Sequence, residues 1–295
     1  MSMVRDALFR VGDPSHNLIP SAGGAVWFPL HESSFASGVP DIPALTESIT
    51  GSAHATKWGT LGVYKFPVDH GNGNVVGLNA LDDIDDLFMD SQLSLYGMSA
   101  GQEIVIATEA SYTVSPSANA TLYCYGKNTT ASFHSLYLSA SEVPNWFKRG
   151  KGAGGSSATP LTQQGGTAFS ALKNAGIFAL VMSIKPTSGQ LADIELRASN
   201  GTSSVVYTAA GVDTWATGGT APPGVSGGIT MENFGGLTLG SRNNGTFDQC
   251  WGSGATGLGQ IGNFQARKYA SYSSGRCAAK LAKLLARPRD FVLED

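Results

Sequence analysis

Short apolar runs separated by clusters of turn-forming residues recur along almost the whole chain. Residues 103–107 read EIVIA, a near-continuous apolar run typical of a buried strand, and residues 120–125 read ATLYCY, which alternates as a half-buried strand does. Residues 69–74 read DHGNGN, a dense turn signal between two further candidate strands. Runs of this length bounded by Gly, Asn and Asp are typical of β-strands joined by tight turns. Only 14% of the residues are charged, well below the roughly 25% usual in globular proteins, which favours strands over exposed helices. The pattern predicts an all-β protein built as an antiparallel β-sandwich.

Two segments depart from this pattern and predict helices. Residues 81–89 repeat apolar side chains at helical spacing with aspartates between them, so a short internal helix is expected there. A C-terminal helix is expected at residues 274–286, ending before Pro288. Its predicted inner face consists of Ala278, Leu281, Leu284 and Leu285, and its predicted outer face of Arg276, Lys280, Lys283 and Arg287.

The most linker-like stretch of the chain is residues 149–160, RGKGAGGSSATP. Its small, flexible residues are not expected to hold a packed element, so it is either a domain boundary or a long loop. Beyond it, further strands are predicted at residues 176–184, 191–198, 203–208, 236–240 and 261–269. A chain of 295 residues is long enough for one large sandwich or two smaller domains.

The order of these strands resembles a known superfamily. Residues 179–184 and 194–197 form a strand pair, a glycine-bounded strand follows at 236–240, and residues 262–267 precede the short C-terminal helix. This arrangement resembles the concanavalin-like or laminin-G-like lectin and glucanase superfamily. Residues 27–33 of this chain also fit the opening strand of that superfamily. The resemblance covers most of residues 25–290. It implies a single jelly-roll domain at 25–295, with residues 149–160 as a loop inside it, preceded by an N-terminal arm at residues 1–24.

Composition argues against several classes of partner and compartment. The formal net charge of −3 and a pI near 5.9 provide no general attraction to nucleic acid or to anionic membranes. Residues 1–17 lack the apolar stretch of a secretory signal, so synthesis and folding in the cytosol are expected. The three cysteines, Cys124, Cys250 and Cys277, are scattered and odd in number, which predicts reduced thiols.

The sequence predicts no catalytic, metal or cofactor site. Asp193 and Glu195 are alternate residues of one predicted strand, as glycoside hydrolysis requires, but a third carboxylate is absent and a solvent-facing strand edge is the preferred interpretation. Residues 224–228 read GVSGG and match the nucleophile-elbow pattern only within a Pro-rich loop. The acidic residues 82–90 lack the glycine of a calcium loop. The histidines are too far apart for a metal pair: His16, His31, His54, His70 and His134.

Two loop clusters combine an aromatic side chain with amides or carboxylates, as sugar binding requires. Sugar faces stack on aromatic rings, while hydroxyl groups need directional hydrogen-bond partners. The first candidate glycan site comprises Asn243, Asn244, Asp248 and Trp251, and the second pairs Asp213 with Trp215. Either cluster could instead be a turn followed by a core tryptophan.

The resemblance implies three possible functions: glycan binding, glycan hydrolysis and structural use, including in virions of tailed phages. The absence of site chemistry and the long N-terminal arm favour a non-enzymatic virion structural protein, either a capsid decoration protein or a tail or collar component. Such a protein is expected in the virion as a homo-oligomer that contacts other virion proteins, with the arm at residues 1–24 supplying much of the contact. The alternative is a lectin-like carbohydrate-binding module for host recognition, and a glycoside hydrolase ranks third.

Overall fold

The structure of the chain is a computed structural model that describes residues 26–28, 44–46, 53–58, 78–80, 93, 95, 98–125, 133–149, 156–187, 191–213, 237–240, 242–243, 247–249, 251, 259–286 and 293. Within these residues the chain forms two large antiparallel sheets and one C-terminal helix. The predicted all-β antiparallel sandwich is therefore confirmed.

The first sheet has seven strands. In the order in which they lie side by side, they are β1 (Val26–Phe28), β17 (Gly259–Tyr269), β5 (Glu103–Tyr112), β11 (Phe178–Pro186), β12 (Leu191–Ser199), β13 (Ser204–Asp213) and β10 (Thr162–Gln164). All neighbouring pairs are antiparallel. The strands predicted from sequence at residues 103–107, 176–184, 191–198, 203–208 and 261–269 all lie in this sheet.

The second sheet has eight strands. In the order in which they lie side by side, they are β2 (Ala44–Thr46), β3 (Ala53–Trp58), β4 (Leu78–Ala80), β14 (Leu237–Leu239), β6 (Ala120–Tyr125), β7 (Phe133–Leu138), β8 (Pro144–Arg149) and β9 (Ser156–Pro160). A short hairpin pairs β15 (Arg242–Asn243) with β16 (Phe247–Asp248), and a 3₁₀ helix occupies Phe169–Leu172.

The linker-like residues 149–160 contain a strand, because β8 and β9 pair in antiparallel register from Asn145–Pro160 to Arg149–Ser156. The expectation that no packed element forms there is wrong for its second half, since pairing with β8 satisfies the backbone of a segment that has little apolar surface of its own. Both sheets take strands from each side of this stretch. The domain limits 1–24 and 25–295 stay a prediction, because the predicted arm and the predicted helix at 81–89 lie outside the described residues.

The main core lies between the two sheets. It is rich in aromatic side chains, and the largest fully buried ones are Trp146, Trp251, Tyr123, Tyr207, Phe169, Phe178 and Phe264. Along β12 the burial alternates strictly, so Ala192, Ile194, Leu196 and Ala198 enter this core. The residues between them lie on the opposite face, since successive side chains of a strand point to opposite sides of the sheet.

One buried histidine forms part of this core. Nδ1 of His134 lies 3.0 Å from the Tyr123 hydroxyl, and Nε2 lies 2.9 Å from the Leu93 carbonyl oxygen. A carbonyl only accepts hydrogen bonds, so Nε2 carries the ring proton and the Tyr123 hydroxyl donates to Nδ1. Burial disfavours the charged ring and lowers the pKa of His134 to about 4.

The C-terminal helix α1 (Arg276–Ala286) covers part of the outer face of the seven-stranded sheet and confirms the helix predicted at 274–286. A second apolar cluster forms beneath it, with Cys277, Leu281 and Leu284 from the helix and Val105, Ala107, Ala179, Val181, Tyr269 and Leu293 from the rest of the chain. This cover explains why β5 and β11 are buried on both faces. Cys124 and Cys277 are buried and form no disulfide bond, and Cys250 lies outside the described residues.

The predicted outer face of the helix is partly wrong. Lys280 is 6% exposed, and its Nζ lies 5.7 Å from the centre of the Tyr269 ring. The Arg276 guanidinium lies 4.0 Å from the centre of the same ring. An aromatic face attracts cations, so a basic side chain can turn toward the sheet instead of solvent. Lys283 is exposed, as expected.

Candidate functional site

The first predicted glycan cluster does not assemble around its tryptophan. Trp251 is 1% exposed, its ring makes an edge contact with Tyr112 in the main core, and its Nε1 donates a hydrogen bond of 2.9 Å to the Ser111 carbonyl. A ring buried between the two sheets cannot stack on a sugar. The structure therefore contradicts Trp251 as a binding platform and supports the alternative of a core tryptophan.

Two other members of that cluster, Asn243 and Asp248, lie in the β15–β16 hairpin. Asn243 pairs with Phe247, and Asp248 pairs with Arg242. Asn244 lies outside the described residues. In the second predicted cluster, Asp213 is the last residue of β13, opposite Leu191, and Trp215 lies outside the described residues.

A different set of exposed side chains lies on the outer face of the seven-stranded sheet. We call the outward side chains of β12 from residue 191 to residue 197 the β12 strip; they are Leu191, Asp193, Glu195 and Arg197. Leu191 is 39% exposed, and the three charged side chains are between 26% and 38% exposed. The strip therefore presents a line of polar groups on a rigid strand, with one exposed apolar side chain at its start.

An exposed aromatic ring lies beside this strip. Tyr272 follows β17 and is 38% exposed. The ammonium group of Lys185, on β11, lies 4.6 Å from the centre of the Tyr272 ring and 3.0 Å from Oδ2 of Asp193. One cation thus joins the ring to the carboxylate, so both groups lie at the same end of the sheet and on the same face.

The turn that carries Tyr272 is held by a buried carboxylate. The Tyr272 backbone amide donates a hydrogen bond of 2.5 Å to the Gly101 carbonyl. Glu103 is fully buried, and it accepts hydrogen bonds from the Ser183 hydroxyl at 2.6 Å and from the Arg276 guanidinium. Arg276 also donates to the Ser271 carbonyl at 2.8 Å. Glu103 and Arg276 therefore fix the segment between β17 and α1 against the first turn of the helix.

A β-bulge directs a backbone amide at the Asp193 carboxylate. The β12–β13 register shifts at Asp193, which faces two residues of β13, Ala210 and Gly211, instead of one. Gly211 has φ of +61°, a left-handed conformation that favours glycine, and its amide donates to Oδ1 of Asp193 over 3.1 Å. Partial burial of Asp193 raises its pKa, but hydrogen bonds from Lys185 and Gly211 outweigh it, so the pKa of Asp193 lies below its ordinary value.

Toward the edge of the sheet the polar surface continues onto β13 and β10. The register places Thr208 beside Glu195, and it places Gln164 next to Val206, which pairs with Arg197. The Gln164 amide donates to the Thr208 hydroxyl at 2.9 Å, and the Arg197 guanidinium donates to the Glu195 carboxylate. The free protein therefore already orders a guanidinium, a carboxylate, an amide and a hydroxyl in one surface.

Each carboxylate of the strip is bonded to a cation, Asp193 to Lys185 and Glu195 to Arg197. A general acid requires a carboxyl group whose pKa is raised so that it holds a proton near neutral pH. The pKa of Asp193 is lowered instead. In the part of the chain that the structure describes, no group of three or more His, Cys, Asp or Glu side chains could hold a metal ion, and no helix there is long and apolar enough to span a membrane.

Sequence reasoning identified Asp193 and Glu195 but assigned them to a plain strand edge, and it missed Tyr272 and Lys185. The signal for Tyr272 was weak, because SYSSG at residues 271–275 reads as an ordinary turn before a helix. Only the order of the strands brings this turn beside β11 and β12.

Several solved structures are similar to this chain. The CBM40 of the Ruminococcus gnavus IT-sialidase matches with a TM-score of 0.41 and 13% identity, over 76% of this chain and 96% of that one. A Trypanosoma rangeli sialidase matches with a TM-score of 0.48 and 10% identity, over 94% of this chain and 34% of that one. The binding domain of botulinum neurotoxin serotype D/C matches with a TM-score of 0.47 and 10% identity, over 89% and 52%. Similarity this low transfers no function to this chain.

No family model and no curated protein matches the sequence.

Proposed function

We propose that the protein is a non-enzymatic carbohydrate-binding β-sandwich whose ligand contacts Tyr272 and the β12 strip. The observation that carries this proposal is the exposed Tyr272 ring, joined through the Lys185 ammonium to the half-exposed carboxylate of Asp193. The C–H face of a sugar ring stacks on an aromatic ring, and its hydroxyl groups hydrogen-bond to carboxylates, amides and cations. This end of the sheet offers both kinds of contact within reach of one ligand.

The surroundings of the strip support a sugar better than a protein partner. The centre of a stable protein interface is usually apolar and depleted in charged residues. Here four charged side chains, Lys185, Asp193, Glu195 and Arg197, are partly exposed in a row. They project from paired strands, which hold them more precisely than loops would.

The non-enzymatic part of the proposal rests on the electrostatics of the two carboxylates. Both are paired with cations, and the pKa of Asp193 is lowered, so Asp193 is not prepared to donate a proton to a leaving group. A structural role in a phage virion stays a prediction from the sequence, because the arm at residues 1–24 that would carry it lies outside the described residues.

Binding is tested by titrating the purified chain with a panel of neutral and acidic oligosaccharides, using calorimetry and saturation-transfer NMR. Tyr272→Ala should weaken binding roughly threefold to tenfold, since a stacking contact contributes about 0.5–1.5 kcal/mol. Asp193→Asn should weaken it by a similar factor. Ile177→Ala is the matched control, because Ile177 is 50% exposed and lies just before the opposite end of β11. The proposal is wrong if no oligosaccharide binds, or if Tyr272→Ala binds like the native chain.

A further inference from the structure

We infer that the ligand is an uncharged, linear oligosaccharide of three or more rings that lies along β12, from Tyr272 at one end to Arg197 and Gln164 at the other. This inference rests on the proposed function and extends it from a single contact to a ligand class. Three features of the seven-stranded sheet carry it: the length of the polar surface, the barrier beside it and the balance of its charges.

The length follows from strand geometry. Outward side chains on one strand recur every second residue, so Asp193 and Arg197 are about 13 Å apart along β12. Tyr272 adds to the surface at the Asp193 end, on the β11 side, because Lys185 pairs with Asp193 across the two strands and its ammonium lies between the ring and the carboxylate. A surface of this length exceeds one or two sugar rings.

The direction follows from what flanks the strip. Helix α1 packs on β11 and β12, and the Cys277 Sγ atom lies 3.3 Å from the Val181 carbonyl oxygen and 3.9 Å from the Glu195 carbonyl oxygen. Beside Glu195 the helix therefore blocks a path from β12 across β11, whereas beside Asp193 the Lys185 side chain on β11 stays partly exposed. On the other side, β13 and the edge strand β10 leave their outward side chains half-exposed or exposed, including Thr208 and Gln164. A linear ligand can thus lie along β12, with helix α1 flanking it on one side.

The far end of the strip has the chemistry to hold a second part of the ligand. Arg197 and Glu195 on β12 present a guanidinium and a carboxylate, Thr208 on β13 presents a hydroxyl, and Gln164 on β10 presents an amide. Neighbouring strands of this set are about 4.8 Å apart. Planar groups of this kind make paired hydrogen bonds to neighbouring hydroxyls of a sugar ring.

The charges of the β12 strip and of the neighbouring Lys185 cancel in pairs. The Lys185 ammonium is 3.0 Å from the Asp193 carboxylate, and the Arg197 guanidinium is bonded to the Glu195 carboxylate. These four groups together carry no net charge. An acidic ligand would have to displace a carboxylate from its cation, and a basic ligand would have to displace a cation. An uncharged ligand can bond to both partners without separating them.

The test measures affinity against ligand length for three neutral series, maltooligosaccharides, cello-oligosaccharides and fully N-acetylated chito-oligosaccharides, each from one to six rings. In the series that binds, affinity should rise at least tenfold from one ring to three and then level off. It should change less than twofold between low and high salt, because screening acts only on net charge interactions. Oligogalacturonides of equal length serve as the acidic comparison and should bind more weakly.

Two variants test the two ends of the proposed binding surface separately. Tyr272→Ala should weaken every ligand in the series, whereas Gln164→Ala should weaken only ligands of three or more rings, by about threefold to fivefold. Gln163→Ala is the control: Gln163 is equally exposed, but its amide donates to the Gly165 carbonyl and it alternates to the other side of β10.

Each outcome decides one question. Length-independent affinity, tighter binding of the oligogalacturonides, or native-like trisaccharide binding by Gln164→Ala would overturn this inference while leaving a carbohydrate-binding function intact. Failure of every neutral and acidic sugar to bind would overturn the proposed function and this inference with it.

Discussion

The backbone amide of Gly211 donates a hydrogen bond to the Asp193 carboxylate because a bulge in β13 places Gly211 at φ +61°. A Cβ atom added at this position would meet no atom within 4 Å, so the requirement for glycine there comes from the backbone conformation and not from lack of space. The carboxylate at the centre of the candidate site is therefore oriented by one left-handed residue.

Gly211→Ala should lower the free energy of unfolding by about 1 kcal/mol, because an L-residue resists a left-handed backbone conformation. It should also weaken glycan binding, since the amide that orients Asp193 shifts. Urea unfolding and calorimetry measure the two effects. Gly166→Ala is the control, because Gly166 also has open space around its Cβ position but lacks a left-handed φ. Equal stability of the two variants would contradict the explanation.

The buried His134 should make stability depend on pH. Its pKa in the folded chain, about 4, lies below the ordinary value of 6.5, so the unfolded chain binds more protons between these pH values. Stability is fully present above pH 6.5 and falls as the pH drops toward 4, by on the order of 3 kcal/mol. Urea unfolding at several pH values, compared with His134→Gln, checks this. If the native chain and the variant lose stability in parallel, the histidine is not the cause.

Trp251→Phe should destabilise the fold by about 2 kcal/mol, because it leaves a cavity and removes the hydrogen bond from Trp251 to the Ser111 carbonyl. Glycan affinity should stay unchanged, since Trp251 lies in the core. Tyr272→Ala is the opposite case and should change stability by less than about 0.5 kcal/mol while affinity falls. A Trp251→Phe variant that kept its stability and lost its affinity would restore the tryptophan as a binding residue.

Arg276→Met should lower the free energy of unfolding by about 3 kcal/mol, because it leaves the Glu103 carboxylate buried without its cation. Adding Glu103→Gln should recover part of this loss. Lys283→Met, at an exposed position of the same helix, is the matched control and should have little effect. Thermal unfolding of the native chain, Arg276→Met, the double variant and Lys283→Met measures these differences. Equal losses in Arg276→Met and Lys283→Met would show that the buried pair does not hold the helix.

The sequence alone determined several of the strands and the last helix, because these depend on patterns within one element. Residues 120–125 form β6 as predicted, and residues 191–198 match β12 within one residue, since runs of apolar or alternating side chains suffice to indicate an extended segment. The same short-range pattern separates Ile194 from Asp193 and Glu195, so the two faces of β12 could also be anticipated.

Only the tertiary structure decided which side chains meet. Trp251 and Tyr272 both follow turn residues in the sequence, but the first enters the core between the sheets and the second lies on the surface. Tyr272 reaches Lys185 and Asp193 because β17, β5, β11 and β12 lie side by side in that order. Side-chain periodicity is a property of neighbouring residues, whereas strand order and register arise from packing between distant segments, and that packing creates the site.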